Sequence, residues 1–318
     1  MRDATAQAHA NIALVKYWGK RDAALNVPAT GSLSLTLGAL TTTTTVRAVD
    51  AGEDRIVIPE GGTGRVARFL DLVRDLAGST QRVEVRSAND FPTAAGLASS
   101  ASGFAALALA ATRAFDVELD ERELTRLARR GSGSAARSIP GGWVEMVARA
   151  DDAWACAMAG PEHWDLRCVV LVTAQGTKKL GSTDAMELTA RTSPFYPAWV
   201  DGVPSDVEAG REAVLARDFE RLATVSERSC LRMHACAMAA DPGILYWNAR
   251  TVELIGRVRA GRVAGIPMFF TIDAGPHVKV FCPPQAVADV EELARDVSER
   301  VIVSAPGGPA RLIERSDD

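Results

Sequence analysis

The feature that most constrains this chain is a run of small residues between a predicted strand and a predicted helix. Residues 94–103, AAGLASSASG, contain only Ala, Gly, Ser and one Leu. Small residues leave the backbone N–H groups of a helix N-terminus open to a phosphate, and serine hydroxyls add donors. A tight contact between helices explains the same composition equally well. Neither GxxxxGK[ST] nor GxGxxG is present, so the run alone does not decide between these alternatives.

Composition excludes several classes of function. The chain has 318 residues, 47% of them hydrophobic, which suffices for one large domain or two ordinary ones. A net charge of -4 gives no general attraction to nucleic acid, so we expect no nucleic-acid partner. The first twenty residues lack the apolar core of a signal peptide. No window approaches the roughly 18 uncharged apolar residues of a membrane span. We therefore expect a cytoplasmic protein with no membrane partner.

The cysteines and lysines add two further constraints. The five cysteines include no CxxC pair, which argues against a disulfide framework and a zinc site. We assign no metal ligands. Nearly all basic residues are Arg, which makes the two lysines near the N-terminus, Lys16 and Lys20, conspicuous.

Hydrophobic periodicity predicts an α+β protein, with strands in the first half and helices followed by strands in the second. We expect a hairpin over 32–49 that turns at Gly38, and an irregular connection over 193–204. We place a domain boundary within 160–190 and divide the chain into 1–175 and 176–318. The other predicted strands are 11–18, 54–59, 81–88, 142–149, 153–159, 167–174 and 300–306. The predicted helices are 64–77, 100–114, 120–130, 205–216, 218–239, 243–260 and 285–299.

A second run of small residues, RRGSGSAARS at 129–138, carries polar groups suited to an anion. It holds Ser132, Ser134 and Arg137 within six residues. A guanidinium binds carboxylate or phosphate through two parallel hydrogen bonds. The alternative is a polar turn that caps a neighbouring helix.

Two charged residues sit against apolar strands. Asp273 follows FFTI and precedes Ala-Gly-Pro, a common place for a catalytic carboxylate, although a turn-forming Asp fits as well. Lys16 interrupts NIALVKYW, so we expect it to enter a polar pocket or to pair with an acid, with Asp273 as one candidate. An edge-strand Lys in water is the alternative. His234 fits a core histidine better than a ligand.

Five segments, in this order, resemble diphosphomevalonate decarboxylases of the GHMP kinase superfamily. They are ANIALVKYWGKRD (10–22), NDFPTAAGLASSASGFAAL (89–107), RRGSGSAARS (129–138), GSTDAMELTARTSPFY (181–196) and TIDAGPHV (271–278). The resemblance implies the two-domain GHMP fold, with a ribosomal protein S5 domain 2-like N-terminal domain and an α/β C-terminal domain. It further implies a homodimer, and ATP with Mg²⁺ acting on a phosphorylated mevalonate.

The resemblance also implies residue roles. Asp273 would be the catalytic carboxylate that orients or deprotonates the 3-hydroxyl, with Lys16 beside it. The implied substrate-binding residues are Tyr17, Lys20, Arg65, Ser132, Ser134, Arg137 and Met186. The implied ATP phosphate loop comprises Pro92, Ala94, Ala95, Gly96, Leu97, Ala98, Ser99, Ser100 and Ser102.

The chain departs from the family pattern in one loop. Where many members have Pro-x-Asn-Ser-Ser, this chain reads VPATGSLSL, so Thr30 and Gly31 replace the Asn and the first Ser, and Ser32 is kept. The resemblance favours decarboxylation of mevalonate 5-diphosphate to isopentenyl diphosphate. Decarboxylation of mevalonate 5-phosphate to isopentenyl phosphate, and 3-phosphorylation without decarboxylation, remain alternatives. A ligand sensor without catalysis is disfavoured by the retained Asp273 and Lys16.

Overall fold

A computed structural model describes residues 2–59, 62–91, 99–174 and 180–313. In chain order, the described strands are β1 (Ala4–Val15), β2 (Lys20–Asp22), β3 (Val27–Pro28), β4 (Ser32–Ala48), β5 (Arg55–Val57), β6 (Val83–Asn89), β7 (Trp143–Ala148), β8 (Ala153–Ala159), β9 (Arg167–Val172), β10 (Phe269–Ile272), β11 (Val278–Cys282), β12 (Arg300–Ser304) and β13 (Arg311–Ile313). The α-helices are α1 (Thr63–Ala77), α2 (Ser99–Ala114), α3 (Glu121–Gly131), α4 (Ser182–Thr192), α5 (Tyr196–Ala216), α6 (Phe219–Met238), α7 (Ala249–Val263) and α8 (Val287–Ala294).

The first sheet joins strands from both ends of the chain in the order β13-β1-β4-β6-β5, with β7 paired to β4 and β8 paired to β7. Helices α1, α2 and α3 pack on it through a shared apolar core. The Ala-rich composition of α2 lets it approach β1 and β4 closely. At the end of α3, a Cβ on Gly131 would lie 2.1 Å from a ring carbon of Phe104, so only glycine fits at this crossing.

The predicted hairpin over 32–49 is wrong, because β4 is one strand that runs antiparallel to β1 along both of its halves. Thr36 lies opposite Asn11 and Thr41 lies opposite His9, so residues 37–40 bulge out opposite a single residue of β1. Gly38 does not turn the chain but donates its N–H to Ala305 O at 3.0 Å. The bulge therefore depends on a segment far along the chain, which local patterns do not reveal.

The second sheet has the order β10-β11-β9-β12 and is antiparallel throughout. Its core also includes apolar residues of α6, α7 and α8. Strand β9 belongs to this sheet, although it precedes the predicted boundary between residues 175 and 176, while β13 returns to the first sheet. That boundary falls in 175–179, outside the described residues, and stays a prediction. The α+β class agrees with the sequence.

The predicted connection at 193–204 is correct only for 193–195, between α4 and α5, because α5 begins at Tyr196. Pro197 falls in the first helical turn, where its missing N–H costs nothing. Trp199 and Val203, four residues apart, bury the same helix face. The Trp199 indole also donates to Trp18 O at 2.8 Å. Helix α4 was not predicted.

Two predicted helices are shorter in the structure. Helix α7 begins at Ala249 rather than at 243, because Asn248 forms a capping box with Thr251. Helix α8 covers Val287–Ala294 instead of 285–299, with a 3₁₀ turn before it. Within the described ranges, no helix has the length and apolarity needed to cross a membrane.

Candidate active site

A cleft of about 1040 Å³ gathers most of the predicted site residues, which come from both halves of the chain. It is lined by Lys16, Tyr17, Lys20, Arg65, Ser99, Ser100, Ser132, Ser134, Arg137, Met186 and Asp273. Pro92, Ala94, Ala95, Gly96, Leu97 and Ala98 of the predicted phosphate loop lie outside the described residues.

An ion pair joins the two halves at one wall of the cleft. Lys16 follows the last residue of β1, and Asp273 follows the last residue of β10. Lys16 Nζ lies 2.6 Å from Asp273 Oδ1 and also donates to Ala13 O at 2.9 Å. The Lys16 side chain is 1% exposed, whereas that of Asp273 is 24% exposed. The carboxylate therefore keeps access to the cleft while the ammonium is sealed behind it.

The charge of Asp273 is set by competing effects. Burial by itself raises the pKa of this carboxyl, but Lys16, Lys279 and Arg137 outweigh burial and hold the pKa below its usual range. Asp273 is therefore ionised at neutral pH. As a weak base, it is better suited to accept a hydrogen bond and position a hydroxyl than to remove a proton beforehand.

Lys279 is a charged residue of this site that the sequence analysis did not single out. It lies in the middle of β11, is fully buried, and places Nζ 3.9 Å from Asp273 Oδ2. The usable signal was a lone Lys inside the apolar strand VKVFC, in a chain with few lysines. It is the same signal that identified Lys16.

Arg137 is held rigidly at the base of the cleft. Its Nε donates to Asn11 Oδ1 at 3.2 Å, and one terminal nitrogen donates to Ser32 Oγ at 2.9 Å. Asn11 in turn donates to Ser138 Oγ at 2.7 Å and to Ser134 O at 3.0 Å. Burial lowers the pKa of Arg137 to about 10, so it is still charged at neutral pH. Ser32, the retained serine of the altered loop, thus orients the guanidinium.

Tyr17 completes the wall beside Arg137, whose guanidinium carbon lies 5.8 Å from the ring centroid. The tyrosine hydroxyl is buried and has no hydrogen-bond partner among the described residues. A Cβ on Gly133 would lie 2.4 Å from that hydroxyl, so the glycine makes room for it. Burial raises the pKa of Tyr17, which keeps the group neutral and able to donate to an anion.

Lys20 and Arg65 both line the cleft. Lys20 Nζ donates to Thr183 Oγ1 at 3.1 Å, which links β2 to the first turn of α4. Arg65 donates to Gly131 O at 2.9 Å and lies over the Phe104 ring. Burial lowers the pKa of both groups, the expected cost of holding cations away from water. That cost falls when an anion binds them.

The serines of the two small-residue runs meet in space. Ser100 Oγ lies 3.4 Å from Ser132 Oγ, which lies 3.3 Å from Ser134 Oγ. Ser102 differs from these, because it is fully buried and its hydroxyl lies 2.6 Å from Thr42 Oγ1. Its predicted contact with ATP stays a prediction.

His234 lies in the core, as expected. Its Nε2 contacts Ile272 O at 3.2 Å, and burial lowers its pKa to about 3, so it is neutral. A neutral ring there adds no charge next to the Lys16–Asp273 pair.

An α+β fold with a cation-bound carboxylate in a cleft rich in basic and hydroxyl side chains agrees with the GHMP kinase superfamily that the sequence motifs resemble. Residues 8–157 match the family model of the diphosphomevalonate decarboxylase-like N-terminal domain, and residues 168–302 match that of the mevalonate 5-diphosphate decarboxylase C-terminal domain. The chain belongs to the diphosphomevalonate decarboxylase family.

Individual relatives agree with this assignment. The diphosphomevalonate decarboxylase of Homo sapiens is 38% identical over 90% of this chain and 78% of its own length. The phosphomevalonate decarboxylase of Haloferax volcanii is 33% identical over 99% of this chain and 98% of its own. A solved structure of MDDEF in complex with MVAPP, AMPPCP and magnesium superimposes with a TM-score of 0.92 at 38% identity, covering 99% of both chains.

Proposed function

We propose that this chain catalyses the ATP-dependent decarboxylation of mevalonate 5-diphosphate to isopentenyl diphosphate, with ADP, phosphate and CO₂ as the other products. The observation that carries this proposal is the carboxylate of Asp273, ionised and fixed by Lys16 at a wall of the cleft. Family membership supplies the reaction, and the geometry supplies the groups that it needs.

The reaction has two bond-breaking stages. The 3-hydroxyl oxygen attacks the γ-phosphorus of ATP, and the bond to the bridging oxygen of ADP breaks. As the new P–O bond forms, the hydroxyl proton becomes acidic and passes along its hydrogen bond to Asp273 and from there to solvent. The C3–O bond of the 3-phosphorylated intermediate then breaks and releases phosphate. The electron pair of the bond between C2 and the carboxylate forms the C2–C3 double bond, and CO₂ leaves. Both stages gather negative charge, so preorganised cations should supply much of the catalysis.

Three charged residues of the cleft have a place in this scheme. Asp273 accepts the hydrogen bond of the 3-hydroxyl and aims its oxygen at the γ-phosphate. Lys16 fixes that carboxylate through Oδ1. Arg137, held by Asn11 and Ser32, binds the substrate carboxylate until it leaves as CO₂.

The N-terminus of α2 is suited to the phosphates of ATP. Ser99 and Ser100 lie in its first turn and line the cleft, and the unpaired N–H groups of a helix start favour anions. The described residues contain no group of three or more His, Cys, Asp or Glu side chains arranged to hold a metal. Mg²⁺ commonly binds through nucleotide phosphates and few protein ligands, which fits this donor set. When bound with ATP, it would neutralise phosphate charge.

The 5-diphosphate is favoured over the 5-monophosphate by the number of cations that surround the cleft. Lys20 and Arg65 both line it in addition to Arg137. A diphosphate carries more negative charge and can satisfy more of these groups. The Haloferax volcanii relative bears the name of the monophosphate enzyme, and this chain differs from the family pattern at Thr30 and Gly31, so the substrate assay must include both compounds.

The test is a coupled measurement of ADP and CO₂ release with mevalonate, its 5-phosphate and its 5-diphosphate. We expect both products in equal amounts and the highest kcat/KM with the 5-diphosphate. A large preference for the 5-phosphate would overturn the substrate assignment. ADP release without CO₂ would select the 3-kinase, and release of neither product would select a sensor.

Cytoplasmic location and a homodimer also belong to the proposal. The homodimer rests on the family resemblance. Subcellular fractionation and analytical ultracentrifugation test them.

A further inference from the structure

The two oxygens of Asp273 are approached by lysines from two different sheets. Lys16, at the end of β1, hydrogen-bonds Oδ1 at 2.6 Å. Lys279, in the second sheet, lies 3.9 Å from Oδ2, which is beyond direct hydrogen-bond distance. Lys279 therefore acts on the carboxylate mainly through its charge, whereas Lys16 acts through charge and a directed bond.

The strand pairing fixes Lys279 in this position. In the sheet register it lies opposite Thr271 on β10 and Val170 on β9, so strands flank it on both sides. Its neighbours Val278 and Val280 are fully buried, as Lys279 itself is. A buried ammonium is costly unless it faces an anion, and Asp273 is within ion-pair distance.

The other groups around Asp273 differ in charge at neutral pH. Arg137 faces it from the 3₁₀ turn after α3 and is cationic. Cys168 on β9, and Cys230 and His234 on α6, are neutral, because burial raises the thiol pKa values and lowers that of the histidine. Among the residues that the structure describes, Lys16, Lys279 and Arg137 are thus the cations that lower the pKa of Asp273.

We propose that Lys279 is a positioning residue that keeps Asp273 ionised and fixes the plane of its carboxylate. This inference rests on the proposed function, in which Asp273 orients the 3-hydroxyl. With one ammonium near each oxygen, a partial rotation of the carboxylate about its Cβ–Cγ bond would move Oδ1 away from Lys16 and disturb the contact of Oδ2 with Lys279. The carboxylate therefore presents one defined face to the cleft. Lys279 touches neither substrate nor ATP in this scheme.

The decisive variant is Lys279→Met, which removes the charge and retains an unbranched apolar side chain. Loss of a cation about 4 Å away should raise the pKa of a carboxyl by about one unit. The acid limb of the kcat/KM profile should therefore move up by about one pH unit, with about a tenfold loss of kcat/KM in the acid range. The phosphate ionisations of the substrate are common to both proteins and cancel in the comparison. KM for ATP should not change.

A matched control is Val280→Ala on the same strand, which removes buried packing but no charge. It should lower Tm and leave the acid limb in place. If Lys279→Met moves the limb no further than this control does, Lys279 has only a structural role and the inference is refuted. Lys279→Gln provides a second neutral variant should the methionine protein fail to fold.

A measurement without turnover separates this inference from the proposed function. In protein labelled with ¹³C at the aspartate carboxyls, the Asp273 resonance is assigned by its loss in Asp273→Asn and titrated with and without Lys279→Met. An upward move of that titration supports the role of Lys279 even if the chain prefers a different substrate. An unchanged titration refutes it even if mevalonate 5-diphosphate is decarboxylated normally.

Discussion

Replacement of Asp273 by Asn tests the central feature of the site. The amide retains the size of the side chain and one oxygen for Lys16, but it loses the charge that orients the 3-hydroxyl. Loss of a positioned acid–base group typically costs a factor of about 10²–10⁴ in rate. We expect CO₂ release to fall by about 10³-fold, while the Kd for ATP changes by no more than about twofold.

The same substitution should destabilise the fold, because it leaves buried ammonium groups without their carboxylate. The Lys16 side chain is 1% exposed and that of Lys279 is fully buried. Removal of one partner of a buried ion pair commonly costs about 3–5 kcal/mol. Asp273 is 24% exposed towards the cleft, so we expect a loss near the lower end, about 3 kcal/mol.

This loss should depend on pH in a defined direction. Burial already holds the pKa of Lys279 below the unfolded value of about 10.4, and loss of the Asp273 carboxylate lowers that pKa further. The unfolded variant then binds more protons than the folded one, so its free energy of unfolding rises as pH increases towards that value. In the unsubstituted chain, the lowered pKa of Asp273 stabilises the fold above pH of about 4, and this contribution is lost as pH falls through the folded-state pKa. The difference in free energy of unfolding between the unsubstituted chain and Asp273→Asn should therefore become smaller as pH rises from about 7 to about 10.

The assays are ADP and CO₂ release, calorimetric ATP binding and urea unfolding at several pH values. The control is Asp206→Asn. Asp206 is also a carboxylate that pairs with two cations, but its partners are Arg228 and Arg232 on α6 and it is buried away from the cleft. That variant should lose stability but keep its turnover at temperatures where it remains folded. Near-normal product formation by Asp273→Asn would refute its catalytic role. Destabilisation of Asp273→Asn by less than about 1 kcal/mol at every pH would refute the conclusion that the buried ammonium groups depend on this carboxylate.

Three further substitutions test other parts of the structure. Arg137→Lys cannot reproduce both bonds to Asn11 and Ser32, so KM for the phosphorylated mevalonate should rise about 10–100-fold while KM for ATP stays constant in steady-state kinetics. Lys20→Met should weaken binding of the 5-diphosphate more than that of the 5-monophosphate, measured as Kd for each compound by calorimetry. Asn248→Ala removes the N-cap of α7 and should cost about 1 kcal/mol in urea unfolding without altering kcat.

The sequence predicted those elements whose stability is mainly local. Helix α1 shows apolar positions at helical spacing, and α3 starts with a capping box between Asp120 and Glu123. The bulge at Gly38 could not be predicted in this way, because its backbone partner is Ala305. The start of α5 was missed because Pro197 and its neighbours favour turns, and only the burial of Trp199 in the tertiary structure decides for a helix.

In the candidate site, too, residues with a local sequence signal could be predicted, whereas those whose role depends on tertiary structure could not. A charge that interrupts an apolar strand identified Lys16, and the order of the motifs connected it to Asp273. Lys279 carries the same signal, but the alternation of Val278, Lys279 and Val280 is also typical of an edge strand with its lysine in water. Val278, Lys279 and Val280 point alternately to the two faces of the sheet and are all fully buried, so both faces are covered, which only the tertiary structure reveals.

The choice of lysine at both buried positions follows from the space beside Asp273. Elsewhere this chain uses Arg for nearly all of its cations. A guanidinium needs partners for five N–H donors in a fixed plane, and a closed strand interior cannot supply them. An ammonium is a compact charge with three donors, and Lys16 uses two of them on Ala13 O and Asp273 Oδ1. Arg137 is the contrasting case, since Asn11 and Ser32 hold its guanidinium where it borders the cleft. In the proposed mechanism the two cation types therefore have different roles, because the lysines keep the carboxylate of Asp273 ionised and Arg137 binds the substrate carboxylate.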